Sequence, residues 1–198
     1  MGSGRGCSCY CQTSLAAFCG PMTLVVSVMA GVTTADLATV FPNSAIVRAM
    51  PNTPAAIGMG VTALFTTAGD LAEGAAEALF GPAGTSLWLA DEGQFDAVTA
   101  VSGSGPAYLY AFIEALAAAA AAAGLEPGLA DRLARATVTG AAALATAEST
   151  VPAAVLRDQV TSPGGTTAAG LAVLMPGLAP LLVDTVAAAA ARSQALSG

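Results

Sequence analysis

Residues 96–125, DAVTAVSGSGPAYLYAFIEALAAAAAAAGL, decide the fold because the chain changes its structural character within them. A loop of small residues leads into Pro106, and an apolar run then continues as far as Gly124. Proline favours the first turn of a helix and glycine the position after its end, so the pattern predicts a helix over residues 106–123. Its only charge is Glu114. A helix that is apolar on every side must be buried, and we expect a dimer to bury it.

The sequence after this helix predicts only further helices. Pro127 opens a second long helix, and Pro152 opens a short one. We expect the last helical stretch to be broken at residues 176–177, Pro-Gly, because proline interrupts a helix. This half of the chain is therefore expected to be all-α. The helices are predicted over residues 106–123, 127–147, 152–160, 166–174 and 177–196.

The sequence before residue 96 alternates between strand and helix patterns. Residues 24–28, LVVSV, form a nearly continuous β-branched run, which is typical of a strand buried on both faces of a parallel sheet. Residues 50–54, MPNTP, end the second strand because their prolines cannot donate ladder hydrogen bonds. We therefore expect an α/β fold here. Strands are predicted over residues 24–28, 45–50, 61–67 and 85–91, and helices over residues 33–41 and 70–81.

These patterns divide the chain into three parts. Residues 1–23 are small and cysteine-rich without clean periodicity, and we interpret them as an atypical, disordered head. Residues 24–96 are expected to form the α/β domain, and residues 97–198 the helical domain. The Cys-x-Cys-x-Cys spacing at residues 7–11 suits a metal, but the sequence has no second ligand cluster, so we predict no metal site.

The composition of the 198 residues excludes several kinds of chemistry. The chain has no His and no Lys, so a Ser-His-Asp triad, a Cys-His pair, a Schiff-base lysine and a histidine-ligated metal are excluded. Its net charge of −7 argues against nucleic acid or an anionic membrane surface as a partner. Hydrophobic residues make up 55% of the chain and charged residues 10%, so we expect apolar faces to pack on another subunit. Any reactive group is expected to come from a bound cofactor.

The sequence also predicts a soluble, cytoplasmic protein. The apolar stretch over residues 14–32 is interrupted at Gly20 and Pro21, whereas a spanning helix takes about 20 uninterrupted apolar residues. It shows no signal-peptide cleavage pattern. All cysteines precede residue 20, which is consistent with a reduced compartment and no disulfide framework.

Three loops carry residues that could bind a ligand. Residues 162–167, SPGGTT, open a helix, where unpaired N–H groups and closely approachable glycines suit a carboxylate or phosphate. Residues 102–106, SGSGP, precede the buried helix, and residues 50–54 follow a strand at the end where α/β sheets bind ligands. An ordinary turn, cap or linker is the alternative for each loop. Residues 58–63, GMGVTA, match a dinucleotide fingerprint by letter but precede a strand rather than a helix, so we reject that match.

The three loops in this order resemble pyrroline-5-carboxylate reductase, the last enzyme of proline synthesis. The resemblance runs from about residue 22 to the end of the chain. Four blocks carry it: LVVSVMAGVT at residues 24–33, IVRAMPNTPAAIGMGVTALF at 46–65, the stretch at 96–125 quoted above, and LRDQVTSPGGTTAAGLAVL at 156–174.

This resemblance implies an α/β remnant of a Rossmann-like domain followed by an all-α helical dimerisation domain. It implies reduction of 1-pyrroline-5-carboxylate to L-proline with NADPH or NADH, in a homodimer or higher homo-oligomer whose sites draw on both chains. Thr167 would be the catalytic hydroxyl nearest the ring nitrogen of the substrate. The substrate-binding residues would be Ser162, Gly164, Gly165, Thr166, Thr167, Ser102 and Gly103, and the cofactor-binding residues Met50, Pro51, Asn52 and Gln159.

The chain also departs from the family pattern. The family begins with a strand and a G-x-G-x-x-G/A turn and later has an Ala-Val-Lys-Pro loop, and neither is found in this sequence. Residues 175–176, Met-Pro, also replace the family's polar continuation. We therefore expect a truncated or frame-shifted reductase that binds NAD(P)H weakly or not at all. The alternatives are a non-catalytic helical dimer and a reductase of a different imine or hydroxy acid.

Overall fold

The computed structural model describes residues 15–197 of the chain. The Cys-x-Cys-x-Cys segment and most of the head predicted from the sequence lie outside these residues. The described residues form two compact units, which we call the sheet unit and the helical unit. The sheet unit holds the chain up to Pro106 together with the residues from Val186 onward, and the helical unit is Ala107–Thr185.

The sheet unit contains a four-stranded mixed sheet with the strands in chain order. β1 pairs in parallel with β2, and β3 with β4, but β2 and β3 are antiparallel. The parallel arrangement expected from the sequence is therefore wrong at the centre of the sheet. Residues 52–59 join these two strands and are too few for a parallel crossover, which takes about a dozen residues or more. The elements are β1 Leu24–Ser27, α1 Thr34–Val40, β2 Ala45–Pro51, β3 Gly60–Thr66, α2 Asp70–Phe80 and β4 Gly84–Trp88.

Both faces of the sheet are covered by apolar side chains. On one face, Val47 and Leu64 are fully buried against Ala72 and Ala76 of α2. A second cluster centred on Leu37, Phe41 and Ile46 joins α1 to the sheet, and Ala16 and Cys19 pack against it. This three-layer arrangement is the α/β architecture expected from the alternating strand and helix patterns.

Helices account for the rest of the described chain. A short helix, α3, is followed directly by a π-helical turn at Thr99–Gly103, and both belong to the sheet unit. The predicted break at residues 176–177 is wrong, since α7 continues through both Pro176 and Pro180. Each proline removes one N–H from the helix, and the residues four positions earlier, whose carbonyls lose that donor, are exposed in the single chain. The helices are α3 Phe95–Val98, α4 Gly105–Ala122, α5 Pro127–Ala147, α6 Ala153–Gln159 and α7 Thr166–Ser197.

The apolar helices leave much hydrophobic surface exposed in the single chain. No residue of α4 is buried, and Leu109 and Tyr110 are 53% and 62% exposed. Two helical stretches, Glu92–Ala122 and Thr166–Leu196, are long and apolar enough to cross a membrane by length and composition alone. Exposed apolar surface of this extent is typical of a face that packs on another molecule.

Candidate functional site

The loop between α6 and α7 has a backbone that requires its two glycines. Gly164 has a φ of 69°, in the left-handed region that side chains rarely adopt. The amide of Gly165 donates to the carbonyl of Ser162 at 3.0 Å, and a Cβ on Gly165 would lie 2.5 Å from the Ser162 hydroxyl. The loop is therefore a tight turn that brings the Ser162 hydroxyl close to the start of α7.

The first turn of α7 has no capping side chain among the described residues. Thr166 and Thr167 are exposed and open a helix of 32 residues. The first N–H groups of a helix lack intrahelical partners, and the helix dipole adds partial positive charge there. The geometry can therefore hold a small carboxylate between the backbone N–H groups of this turn and the nearby hydroxyls.

The charged residues that precede this loop are already paired. Arg157 forms an exposed ion pair with Asp158 at 2.9 Å. The Thr161 hydroxyl donates to the Arg157 carbonyl at 2.6 Å, which closes the end of α6. Gln159 is the last residue of α6 and is exposed. A carboxylate bound at this loop would therefore depend on N–H groups and hydroxyls rather than on the Arg157 guanidinium.

The second group of predicted site residues lies in the sheet unit, where β2 ends. Met50 and Pro51 are its last two residues and pair with Ala63 and Thr62 of β3. Asn52 follows at the start of a short 3-10 turn, and its side chain does not cap that turn. The predicted site residues thus fall into two groups, one in each unit.

The first two residues of the SGSG loop predicted from the sequence, Ser102 and Gly103, belong to the π-helical turn Thr99–Gly103 in the structure. The amide of Ser104 donates to the carbonyl of Thr99 at 2.9 Å, which is the i to i+5 pattern of that turn. The Ser102 hydroxyl donates to the Val98 carbonyl at 3.1 Å. Turns of this kind are rare and occur frequently at functional sites. Ser102 and Gly103 therefore lie in a π-helical turn rather than in an ordinary linker.

The structure joins this turn to the end of β2. The side-chain amide of Asn52 donates to the Ser102 carbonyl at 3.0 Å, and its oxygen accepts from the Val61 amide at 2.9 Å. Next to Ser102, a cavity of about 390 Å³ lies between the strands and α3. Its wall is mainly apolar and includes Val61, Ala63, Leu87, Val98 and Val101. An apolar wall with few polar groups can hold a flat ring.

The structure also shows a polar cluster that the sequence patterns did not indicate. Arg48 lies on β2, is 7% exposed, and binds Glu92 through Nη1 at 3.1 Å. Its guanidinium also lies 4.2 Å from the centre of the Phe95 ring. Glu92 accepts two further hydrogen bonds, from the amide and the hydroxyl of Thr34 at 2.8 Å each. We call Arg48, Glu92, Thr34 and Phe95 the Arg48 cluster, and it joins β2, α1 and the segment leading into α3.

Comparisons with known proteins agree on one family. A family model described as pyrroline-5-carboxylate reductase dimerisation matches residues 92–196. The pyrroline-5-carboxylate reductase of Synechocystis sp. is 46% identical over an alignment of 178 residues, and the match covers 87% of this chain and 65% of the relative. The reductase of Pisum sativum is 46% identical over an alignment of 177 residues, and the match covers 88% of this chain and 64% of the relative.

Solved structures give the same family. The pyrroline-5-carboxylate reductase of Coxiella burnetii is 38% identical, has a TM-score of 0.89, and is matched over 94% of this chain and 70% of that chain. The pyrroline carboxylate reductase of Plasmodium falciparum, solved with NADP bound, is 29% identical with a TM-score of 0.80. That match covers 94% of this chain and 72% of the other.

These comparisons fit the two halves of the fold. The dimerisation match covers more than half of the chain and includes the helices whose apolar faces are exposed in the single chain. The chain spans 65% and 64% of the lengths of the two curated relatives. The identities extend beyond the helical region into the sheet, since they cover 87% and 88% of the chain. The chain therefore belongs to the pyrroline-5-carboxylate reductase family.

Proposed function

We propose that the protein reduces 1-pyrroline-5-carboxylate to L-proline with NADPH or NADH. The observation that carries this proposal is the tight SPGG turn at the uncapped start of α7. The relatives named above support it, because they are pyrroline-5-carboxylate reductases and one was solved with NADP bound. When bound, the cofactor supplies a hydride to the carbon of the C=N bond.

The substrate carboxylate is bound at the start of α7. The turn formed by Ser162, Gly164 and Gly165 leaves the first N–H groups of the helix open to an anion. The Thr166 hydroxyl is exposed there and adds a further donor. No lysine exists in the chain, so the helix terminus provides the positive potential.

The Thr167 hydroxyl faces the ring nitrogen and is the proposed catalytic group. A hydroxyl can donate a hydrogen bond to an imine nitrogen and accept one from the amine that forms. It therefore orients the ring while the nitrogen takes its proton from water, which has access to the exposed Thr167. This role needs no histidine, consistent with a chain that has none.

The nicotinamide end of the cofactor is proposed to contact the turn after β2. Met50, Pro51 and Asn52 border it there, with Ser102 and Gly103 beside them, and Gln159 is proposed as a further cofactor-binding residue. The described residues provide no strand followed by a glycine-rich turn and a helix, which is the usual pyrophosphate site. The residues thus fit the nicotinamide end and not the pyrophosphate, and we predict weak cofactor binding by this chain.

The assembly is proposed to be a cytoplasmic homodimer or higher homo-oligomer, without nucleic acid or membrane as a partner. The dimerisation match and the exposed faces of α4 and α7 support self-association. We propose residues 24–96 as the remnant of the nucleotide domain and residues 97–198 as the dimerisation and substrate domain. Light scattering after gel filtration should give at least twice the chain mass of 19.1 kDa. A monomer at micromolar concentration would contradict the assembly.

Formation of proline is the direct test of the function. The purified chain is incubated with 1-pyrroline-5-carboxylate and NADPH, and L-proline is quantified by mass spectrometry. We expect proline to form with a KM for NADPH above about 1 mM, beyond the usual range for enzymes. Absence of proline at saturating cofactor would overturn the function, and a micromolar dissociation constant for NADPH would overturn the predicted weak binding.

The Thr167→Val variant, measured in the same assay, tests the proposed role of the Thr167 hydroxyl. The variant keeps the shape of the side chain and removes its hydroxyl, and we expect kcat to fall by about 100-fold. Thr139→Val is the matched control, because Thr139 is exposed on α5 and lies outside the proposed site. Equal rates for the two variants would show that Thr167 has no catalytic role.

A non-catalytic helical dimer is the second candidate function. It is favoured by the lack of a glycine-rich turn among the described residues. This candidate predicts a stable dimer that makes no proline at any cofactor concentration, so the same assay separates the two functions.

A further inference from the structure

The carbonyl of Ser102 lacks its ordinary helical donor. In an α-helix this carbonyl would accept a hydrogen bond from the N–H of the residue four positions later. That residue is Pro106, which has no N–H. The structure supplies a donor from elsewhere, since the Asn52 side-chain amide nitrogen lies 3.0 Å from the Ser102 carbonyl. The two residues are 50 positions apart in the chain.

The other end of the same side chain binds the start of β3. The Asn52 side-chain oxygen accepts from the Val61 amide at 2.9 Å. Asparagine at the start of a helical turn commonly caps that turn, but the Asn52 side chain does not cap the one that begins at Thr53. Both ends of its carboxamide are instead committed to backbone groups of other elements.

At neutral pH, a carboxamide of this length meets both requirements. The side chain must donate at one end and accept at the other. An aspartate carboxylate accepts only, and a threonine or serine hydroxyl is too short to reach two separate elements. Because Asn52 is half-buried, removing either bond leaves a backbone group with restricted access to water.

We propose that Asn52 is a positioning residue that holds the π-helical turn Thr99–Gly103 against the turn after β2. It thereby fixes the backbone of Ser102 and Gly103. The structural part of this proposal stands on the two hydrogen bonds, whereas its effect on the reaction rests on the proposed reductase function. In that function, displacement of the Ser102 and Gly103 backbone lowers the rate because it misplaces the substrate ring relative to the hydride donor.

Two substitutions separate the two ends of the side chain. Asn52→Asp keeps an oxygen for the Val61 amide and replaces the donor to Ser102 by a second oxygen. Asn52→Ala removes both interactions. Asn43→Asp is the matched control, since it makes the same chemical change at an exposed residue between α1 and β2.

Amide hydrogen exchange, resolved by NMR on the full chain, reads out the position of the turn. In Asn52→Asp we expect the Ser104 amide, which bonds to Thr99, to lose about tenfold in protection while Val61 stays within threefold. Asn52→Ala should expose both amides, and Asn43→Asp neither. At a pH low enough to protonate the new carboxyl, that group can donate again, so the Ser104 protection in Asn52→Asp should recover. Unchanged protection of Ser104 in both Asn52 variants would overturn the proposal.

Kinetics then distinguish a positioning role of Asn52 from an effect through cofactor contact alone. A positioning role predicts that Asn52→Asp lowers kcat by at least about tenfold with the KM for NADPH changed less than threefold. A raised KM with unchanged kcat and unchanged Ser104 protection would show that Asn52 acts only through contact with the cofactor, and would overturn the positioning proposal. If the unaltered chain makes no proline but the exchange pattern is as expected, the reductase function fails while the positioning of the turn is supported.

Discussion

Removal of the Glu92 carboxylate should destabilise the sheet unit strongly. Glu92 accepts three hydrogen bonds, one from Arg48 and two from Thr34, and its side chain is 20% exposed. A hydrogen bond to a charged group contributes about 1.5–3 kcal/mol, and an almost buried charge that loses its partner costs about 3–5 kcal/mol. These terms overlap, and water can reach part of the site. We therefore expect Glu92→Ala to lower the free energy of unfolding by about 3 kcal/mol.

A double-mutant cycle with Arg48→Met tests the reason for this loss. Methionine removes the charge of Arg48. In that background the Glu92→Ala substitution no longer leaves a buried cation without its partner. The loss should then shrink by at least about 1.5 kcal/mol. Glu73→Ala is the control, because Glu73 lies in the first turn of α2 and should contribute only its dipole interaction of below about 1 kcal/mol.

Urea unfolding measures the free energies of unfolding of the four proteins of the cycle and of the Glu73→Ala control. All are measured at one fixed protein concentration, since the stability of an oligomer depends on concentration. A loss below about 1 kcal/mol for Glu92→Ala would refute the reasoning. An equal loss of free energy of unfolding for Glu92→Ala with Arg48 and with Arg48→Met would also refute it, because the carboxylate would then act independently of the buried cation.

Two further predictions concern the backbone and the pH dependence of stability. Gly84 has a φ of 134° and a Cβ there would lie 2.1 Å from the Gly60 carbonyl oxygen, so Gly84→Ala should lower the melting temperature or prevent folding. Gly74→Ala, in open space on α2, should stabilise the chain by about 0.5–1 kcal/mol, and a loss of stability there would contradict this account of the glycines. Glu126 accepts hydrogen bonds from the amides of Gly128 and Leu129, which lower the pKa of its carboxyl below the ordinary 4.5. The ionised Glu126 carboxylate therefore contributes fully to stability above pH 4.5, and this contribution is lost as pH falls through the lowered pKa. The difference in free energy of unfolding between the unaltered chain and Glu126→Ala should decrease on acidification. A difference that increases would be inconsistent with this cap.

The helical half of the fold could be predicted well, because prolines mark where helices begin and glycines mark where they end. Pro106 and Gly124 predicted a helix over residues 106–123, and α4 is Gly105–Ala122. Pro127 predicted the start of α5, which runs to Ala147 as expected. The break at residues 176–177 was wrong because a proline removes only its own donor, and a long helix can continue past that loss.

The arrangement of the sheet could not be derived from strand patterns. A β-branched run shows that a strand is buried, but it carries no information about which neighbour the strand pairs with or in which direction. The short connection at residues 52–59 did contain the signal for an antiparallel pair. Taken alone, Pro51 and Pro54 predict only that a strand ends there.

The contacts that hold the sheet-unit residues in place were also invisible in the sequence. Arg48 lies in an otherwise apolar strand and donates a hydrogen bond to Glu92, which is 44 positions further along the chain. Asn52 donates a hydrogen bond to Ser102, which is 50 positions further along. Local periodicity has no means of pairing residues so far apart. Pro106 offered one usable signal, because a proline four residues after Ser102 leaves that carbonyl in need of another donor.

The most direct test of the account is an NMR titration of the 198-residue chain with L-proline, the proposed product. The account predicts saturable shifts at the backbone amides of Gly165, Thr166 and Thr167, where α7 begins. Pyrrolidine, which has the same ring without the carboxylate, should not shift them. Saturation with L-proline that leaves these three amides unchanged, or equal shifts with pyrrolidine, would contradict the claim that this turn binds the carboxylate of a proline-forming site.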